Sequence, residues 1–153
     1  MTKTSRPTYG QLGSVSTATL RTEDLLSAFL DAANSLHLTR SERSQVRAIE
    51  RDSQKDGYLE TDDAEYDVNE TLLDILDAHS LTGCYFGSHP GDGADFGWWV
   101  SEGYIEEFDG LKVDDTSEVP SNFSGEVLHV NDHGNVTLYI ANRGKLSEIW
   151  SLV

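Results

Sequence analysis

One cysteine, one methionine and three prolines are all that this 153-residue chain holds of those types. With Cys84 alone no disulfide forms within the chain, and metal sites built on paired cysteines are excluded. No apolar run approaches the roughly 20 residues that a membrane-spanning helix needs. Lys3 and Arg6 are followed by Pro, Gly, Ser and Thr rather than by an apolar stretch, which argues against a secretory signal. Serine-nucleophile motifs, a phosphate-binding glycine loop and the His-Glu-x-x-His pattern of zinc hydrolases are also missing. The expectation is a soluble, cytoplasmic protein without membrane contact and without a recognisable catalytic signature.

Basic residues are the other shortage. Residues 56–153 contain 21 Asp and Glu but only 3 Lys and Arg, a net charge of −18, whereas residues 1–55 contain 6 acids and 8 bases, a net charge of +2. The total of −16 exceeds the magnitude of roughly 2–8 that keeps a small domain soluble. Such a field repels nucleic acid and anionic membrane, and it attracts cations or basic protein surfaces. High-salt tolerance is a further explanation for an acidic surface. What is present still supports a fold: 37% of residues are hydrophobic and fourteen are aromatic, more than a disordered chain of this charge would carry.

Residues 1–20, rich in Thr, Ser and Gly, read as an arm that orders only against something else. From Thr22, a capping hydroxyl and two acids precede Leu25, Leu26, Phe29, Leu30, Ala33 and Leu36, an apolar face at helical spacing. Thr39 and Glu42 have the capping-box spacing for a second helix reaching about Gln54. A third is predicted from Thr61 to His79, with Ala64, Val68, Leu72, Ile75 and Leu76 inward. Beyond Gly83 the pattern turns to strands. Cys84–Tyr85–Phe86 and Phe96 to Val100 flank a turn-forming stretch from Gly87 to Asp95, and Ser101 to Phe108 read as a short helix. Glu126 to Val130 and Val136 to Ile140 flank the hairpin connection Asn131-Asp132-His133-Gly134-Asn135. Asn142 to Lys145 then turn the chain into a last strand. The expected class is α+β, with N-terminal helices packed on a C-terminal antiparallel β-meander in one domain spanning 21–153.

Two helical stripes carry opposite charge. Arg40, Arg43, Arg47 and Arg51 share a face of the second helix, and Asp63, Asp67, Glu70, Asp74 and Asp77 share a face of the third. The acidic row climbs roughly 5 Å per step, within a factor of two of the roughly 3.4 Å spacing of phosphates along a DNA strand, so it can stand in for phosphates. The plainer reading is that the two stripes face one another or are ordinary solvated surfaces. Against that, four arginines leave most of the −18 unanswered. Further acids gather in the loops: Glu102, Glu106, Glu107 and Asp109, then Asp114, Asp115 and Glu118.

A divalent cation site is the alternative chemistry. His89, Asp92 and Asp95 lie in a glycine-rich loop, and Asp132 and His133 lie in the later hairpin; converging, they would offer mixed nitrogen and oxygen ligands. Asp, Asn and Gly are equally what tight turns require. Trp98 and Trp99 point to opposite faces of a strand, so one is expected in the core and the other as core or as an exposed protein-binding anchor. His37, His79 and His129 read as structural or surface residues.

Tyr85-Phe86-Gly87, His89 through Trp98 and Val130 through Tyr139, together with Ser16 through Leu26, resemble a widespread group of small acidic proteins encoded by phages and other mobile elements. The resemblance supplies no catalytic residues. It implies a setting in which acidic proteins block host nucleic-acid-binding defence machinery by imitating DNA. The leading expectation is therefore a non-enzymatic inhibitor of that kind, of the anti-CRISPR or anti-restriction type. It would seat on a basic groove of a host protein through the two acidic sets and through Trp98 or Trp99, with no cofactor and no direct contact with nucleic acid. A metal-dependent hydrolase or metal-binding protein, and a phage accessory or structural module, are the alternatives.

Overall fold

Thr39 and Glu42 start the second helix as their spacing requires. The Thr39 hydroxyl accepts from the Glu42 N–H at 3.2 Å, and the Glu42 carboxylate accepts from the Thr39 N–H at 2.9 Å, satisfying two of the donors that a helix start leaves open. The computed structural model describes residues 5–153. They fold as α+β in two compact units, Met1–Ser101 and Glu102–Val153, the class expected from the sequence.

In the first unit, β1 (Gly13–Ser16) is followed by α1 (Thr22–Asn34), α2 (Arg40–Asp52) and a helical run of three segments: α3 (Asp62–Tyr66), a π-helical stretch (Asp67–Leu72) and α4 (Leu73–Ala78). β2 (Cys84–His89) and β3 (Asp92–Val100) close it. α1 begins at Thr22 itself, the residue expected to cap it, so the cap position falls one residue earlier. Its N-cap residue Arg21 makes no side-chain cap; Thr19 serves the turn, accepting from the Arg21 N–H and donating to Asp24 at 2.6 Å.

The π stretch has a reading in the sequence. Ala64, Val68, Leu72 and Leu76 are all fully buried and recur in strict steps of four. In an α-helix each such step overshoots a turn by roughly 40°, so three steps would swing the last side chain well off the core face. The wider i→i+5 turn takes back much of that drift.

The three-stranded sheet has the order β1-β3-β2. One face packs on the helices through Phe86, Phe96 and Trp98. Phe29 of α1 meets Phe86 edge-on at 5.2 Å and Phe96 at 5.6 Å, and Phe86 meets Trp98 at 4.8 Å. Two expectations change here. The stretch 87–95 is not a loop, since β2 and β3 pair down to His89 and Asp92, leaving Pro90-Gly91 as the turn. Just beyond it, Gly97 serves a close backbone approach: a Cβ there would stand 2.1 Å from the Gly13 carbonyl oxygen.

Of the supposed arm 1–20, the first four residues lie outside the described residues; from residue 5 on it is likewise built into the unit. β1 pairs antiparallel with β3, and the residues before it run as a strap. The Pro7 carbonyl accepts from the His37 N–H at 2.9 Å, and the Gly10 N–H donates to the His79 carbonyl at 2.8 Å. No large side chain fits at Gly10, where a Cβ would lie 2.2 Å from the Trp98 ring.

The second unit is a four-stranded sheet of order β4-β5-β6-β7, made of β4 (Leu111–Val113), β5 (Gly125–Val130), β6 (Val136–Asn142) and β7 (Lys145–Leu152). The antiparallel meander holds for β5 to β7, but β4 joins β5 in parallel. Arg143 and Gly144, both with positive φ, form the tight β6–β7 turn. On one face Val113, Val127 and Ala141 pack beneath Val119 and Phe123; on the other Leu128, Leu138 and Trp150 are buried. The short helix expected over 101–108 is replaced by turns, with Gly103 at φ 80°, a value that breaks a right-handed helix. Among the described residues no helix is long and apolar enough to cross a membrane.

Candidate protein-binding surface

The surplus acids are on the outside. Asp63, Glu70 and Asp74 are exposed along the third helical run, as are Glu60, Asp62 and Glu65 at its start. The acids at the start also complement the positive end of the helix dipole, which gives them a structural role beside any binding role. In the second unit Glu102, Glu106, Glu107, Asp109, Asp114, Asp115 and Glu118 are all exposed. Asp115 caps the turn after it by accepting from the Ser117 N–H at 2.8 Å. The Ser117 hydrogen bonds hold its carboxyl below the usual carboxylate range, aided by the nearby His129.

Intramolecular neutralisation is slight. Among the described residues there are three ion pairs: Arg21 with Glu23, Lys55 with Asp52, and His79 with Glu42. None joins Arg40, Arg43, Arg47 or Arg51 to the acidic helix, so the two stripes do not cancel. Both units are negative, with 17 acids against 8 bases in the first and 10 against 3 in the second.

Three of the proposed contact residues are used inside the fold instead. Asp67 is half-buried and accepts from the Tyr58 hydroxyl at 2.7 Å. Burial of the phenol first, then that bond and the charges of Asp67, Asp52 and Asp63, push the Tyr58 hydroxyl well above its ordinary value. Asp77 accepts from the Phe86 N–H at 2.9 Å, tying α4 to β2. Trp98, 5% exposed, donates its indole N–H to the Leu76 carbonyl at 3.1 Å and is a core residue. Of the acidic row expected from the sequence, Asp63, Glu70, Asp74 and Asp77 are exposed, Asp77 while also holding the Phe86 N–H, and Asp67 is withdrawn into the fold. Trp99, on the opposite sheet face, is half-buried, donating to the Gly87 carbonyl at 3.0 Å with His89 edge-on at 4.7 Å.

Two of the candidate metal ligands, His89 and Asp92, act as turn formers, while Asp95 lies within β3. His89 Nδ1 accepts from the Gly91 N–H at 2.9 Å, and Asp92 accepts from the Ala94 N–H at 3.0 Å. In the later hairpin the organising group is Asn131, whose side-chain oxygen accepts from the N–H groups of His133 and Asn135, while Asp132 and His133 are exposed at the tip. Among the described residues no group of three or more His, Cys, Asp or Glu could hold a metal ion. The structure does not assemble the site suggested by His89, Asp92, Asp95, Asp132 and His133. Nor is Cys84 a poised nucleophile: burial raises its thiol to about 11, and the reactive form is the thiolate.

Two features escaped the sequence reading. Tyr66, 62% exposed, lines a shallow depression with Glu70 and Asp74; an aromatic beside acids at a four-residue step was the available signal. His79 is the other. It is buried, with Nδ1 at 2.5 Å from the Thr8 carbonyl and Nε2 at 2.9 Å from Glu42, so both ring nitrogens face acceptors. That arrangement favours the imidazolium, which can donate to both.

Compared with known proteins, the chain matches no family model, and neither curated proteins nor solved structures show a significant likeness to it.

Proposed function

We propose that the protein is a non-enzymatic acidic inhibitor that occupies a basic, nucleic-acid-binding groove on another protein, as expected of an anti-CRISPR or anti-restriction factor from a phage or mobile element. The observation that carries this reading is a surface with many exposed carboxylates and few internal ion pairs. Such a surface costs stability through self-repulsion, and a partner of opposite charge relieves that cost. Asp63, Glu70 and Asp74 form one set of phosphate substitutes, and Glu102, Glu106, Glu107, Asp109, Asp114 and Asp115 form the other. Tyr66 adds a face on which a partner arginine can stack beside Glu70 and Asp74.

The immobilised chain, loaded with lysate of a host carrying such defences, tests the reading. Retained proteins are expected to be released by duplex DNA as well as by salt, because the carboxylates compete for the phosphate sites. Release by salt with no effect of DNA, or equal retention on a chain reversed to Lys at positions 63, 70 and 74, would sink it.

A further inference from the structure

A groove of about 820 Å³ opens between the N-terminal segment and α1, and nothing in the proposal above uses it. One wall is β1, with Gly13, Ser14 and Val15; the other is the flank of α1. β1 is the last strand of its sheet and pairs only with β3, so its second edge presents N–H and C=O groups without a strand partner. An edge strand in that state is a template for another chain, and a helix facing it shapes a slot for an extended peptide.

We propose that this groove takes an extended, basic segment of a partner protein, which adds to β1 as a further strand. Its floor is apolar, with Leu12, Ala28, Ala32 and Trp98; the alanines leave room for alternate side chains of an added strand, which point inward every second residue. The charge on the walls selects the sign of the occupant. Asp24 and Asp31 line the groove, and among the described residues no Lys or Arg does. Asp31 is exposed and joins none of the ion pairs found among the described residues. Seven residues apart on α1, the two carboxylates are separated by roughly 10 Å along the axis, between the roughly 6.6 and 13 Å that separate same-face side chains two and four residues apart on an extended chain, and long lysine side chains span the difference. Outward basic side chains of the segment reach them while its apolar side chains fill the floor.

The probe is an acetylated, amidated peptide alternating lysine and valine, added to the isotopically labelled full chain and followed by amide shifts and hydrogen exchange. Saturation is expected to shift and protect the β1 amides. Methylating alternate peptide nitrogens, in either register, is expected to weaken binding about tenfold or more, the loss of roughly 1.4 kcal/mol or more. Ala32→Trp, which fills the floor, abolishes the β1 shifts. Asp31→Lys, at an exposed position that leaves the thermal melt unchanged, weakens binding about tenfold. The proposal is overturned if β1 amides stay unmoved at saturating peptide, if the methylated peptides bind as well as the parent, or if sedimentation shows a second copy of the chain already seated on that edge.

Discussion

Replacing His79 by Gln isolates the one buried charge pair among the described residues of the first unit. The wild-type ring is 9% exposed as a side chain and its partner Glu42 16%, so solvent screening is weak. Burial works against the charge on His79, yet its hydrogen bonds to Glu42 and Thr8 and the Glu42 charge outweigh it and hold the imidazolium above its ordinary 6.5. Burial likewise works against the Glu42 carboxylate, and the Thr39 backbone and His79 outweigh it, so its carboxyl lies below 4.5. A raised histidine contributes stability that is complete below the unfolded value and lost as pH rises through the folded value. A lowered carboxyl contributes stability present above its unfolded value and lost as pH falls through the folded one. The pair is therefore worth most between roughly pH 4.5 and 6.5.

Gln can keep one of the two hydrogen bonds, leaving the other acceptor unpaired, so the variant should lose about 3 kcal/mol inside that window. Above pH 6.5 the wild type loses up to roughly 1.4 kcal/mol per pH unit until His79 is neutral, and the two proteins converge. Because the chain has two units, a single global transition is not assumed; the readout is exchange of the Gly10 and His37 amides, which bond to the His79 and Pro7 carbonyls. Equal protection of these amides from pH 6 to 9 in the wild type, or the same pH slope in His79→Gln, would refute the argument.

Other outcomes follow from the same geometry. Reversing Asp63, Glu70 and Asp74 together should leave the melt within about 1 kcal/mol of wild type while removing partner retention; Asp77→Asn, which weakens the acceptor for the Phe86 N–H, should cost about 1–2 kcal/mol by denaturant titration. Gly97→Ala places a methyl against the Gly13 carbonyl and should cost at least about 2 kcal/mol, with β1 amides losing protection first. Cys84 should react with a thiol reagent far more slowly at pH 7 than a free cysteine does, and faster on unfolding, because its thiol is held near 11; equal rates in the folded and unfolded chain would contradict its burial.

Local chemistry by itself determined the helices and hairpins. Thr39 and Glu42 form their capping box without help from elsewhere, and Arg143-Gly144 and Asn131 to Asn135 turn the chain because their side chains and φ angles suit turns. The sequence also determined that the molecule carries a large negative surplus. Tertiary structure decided which acids remain available. Asp67 and Asp77 have the same spacing as Asp63, Glu70 and Asp74, but Tyr58 holds the half-buried Asp67 and the Phe86 N–H ties down the still exposed Asp77; periodicity places a side chain on a face and does not say what packs beside it. It also decided that Trp98 is core, that 87–95 is strand, and that the first twenty residues contribute an edge strand. The core position of Trp98 and the edge strand depend on pairings between residues far apart in the chain, Gly13 with Trp98 and His79 with Thr8, which no local pattern encodes, whereas 87–95 pairs within its own hairpin.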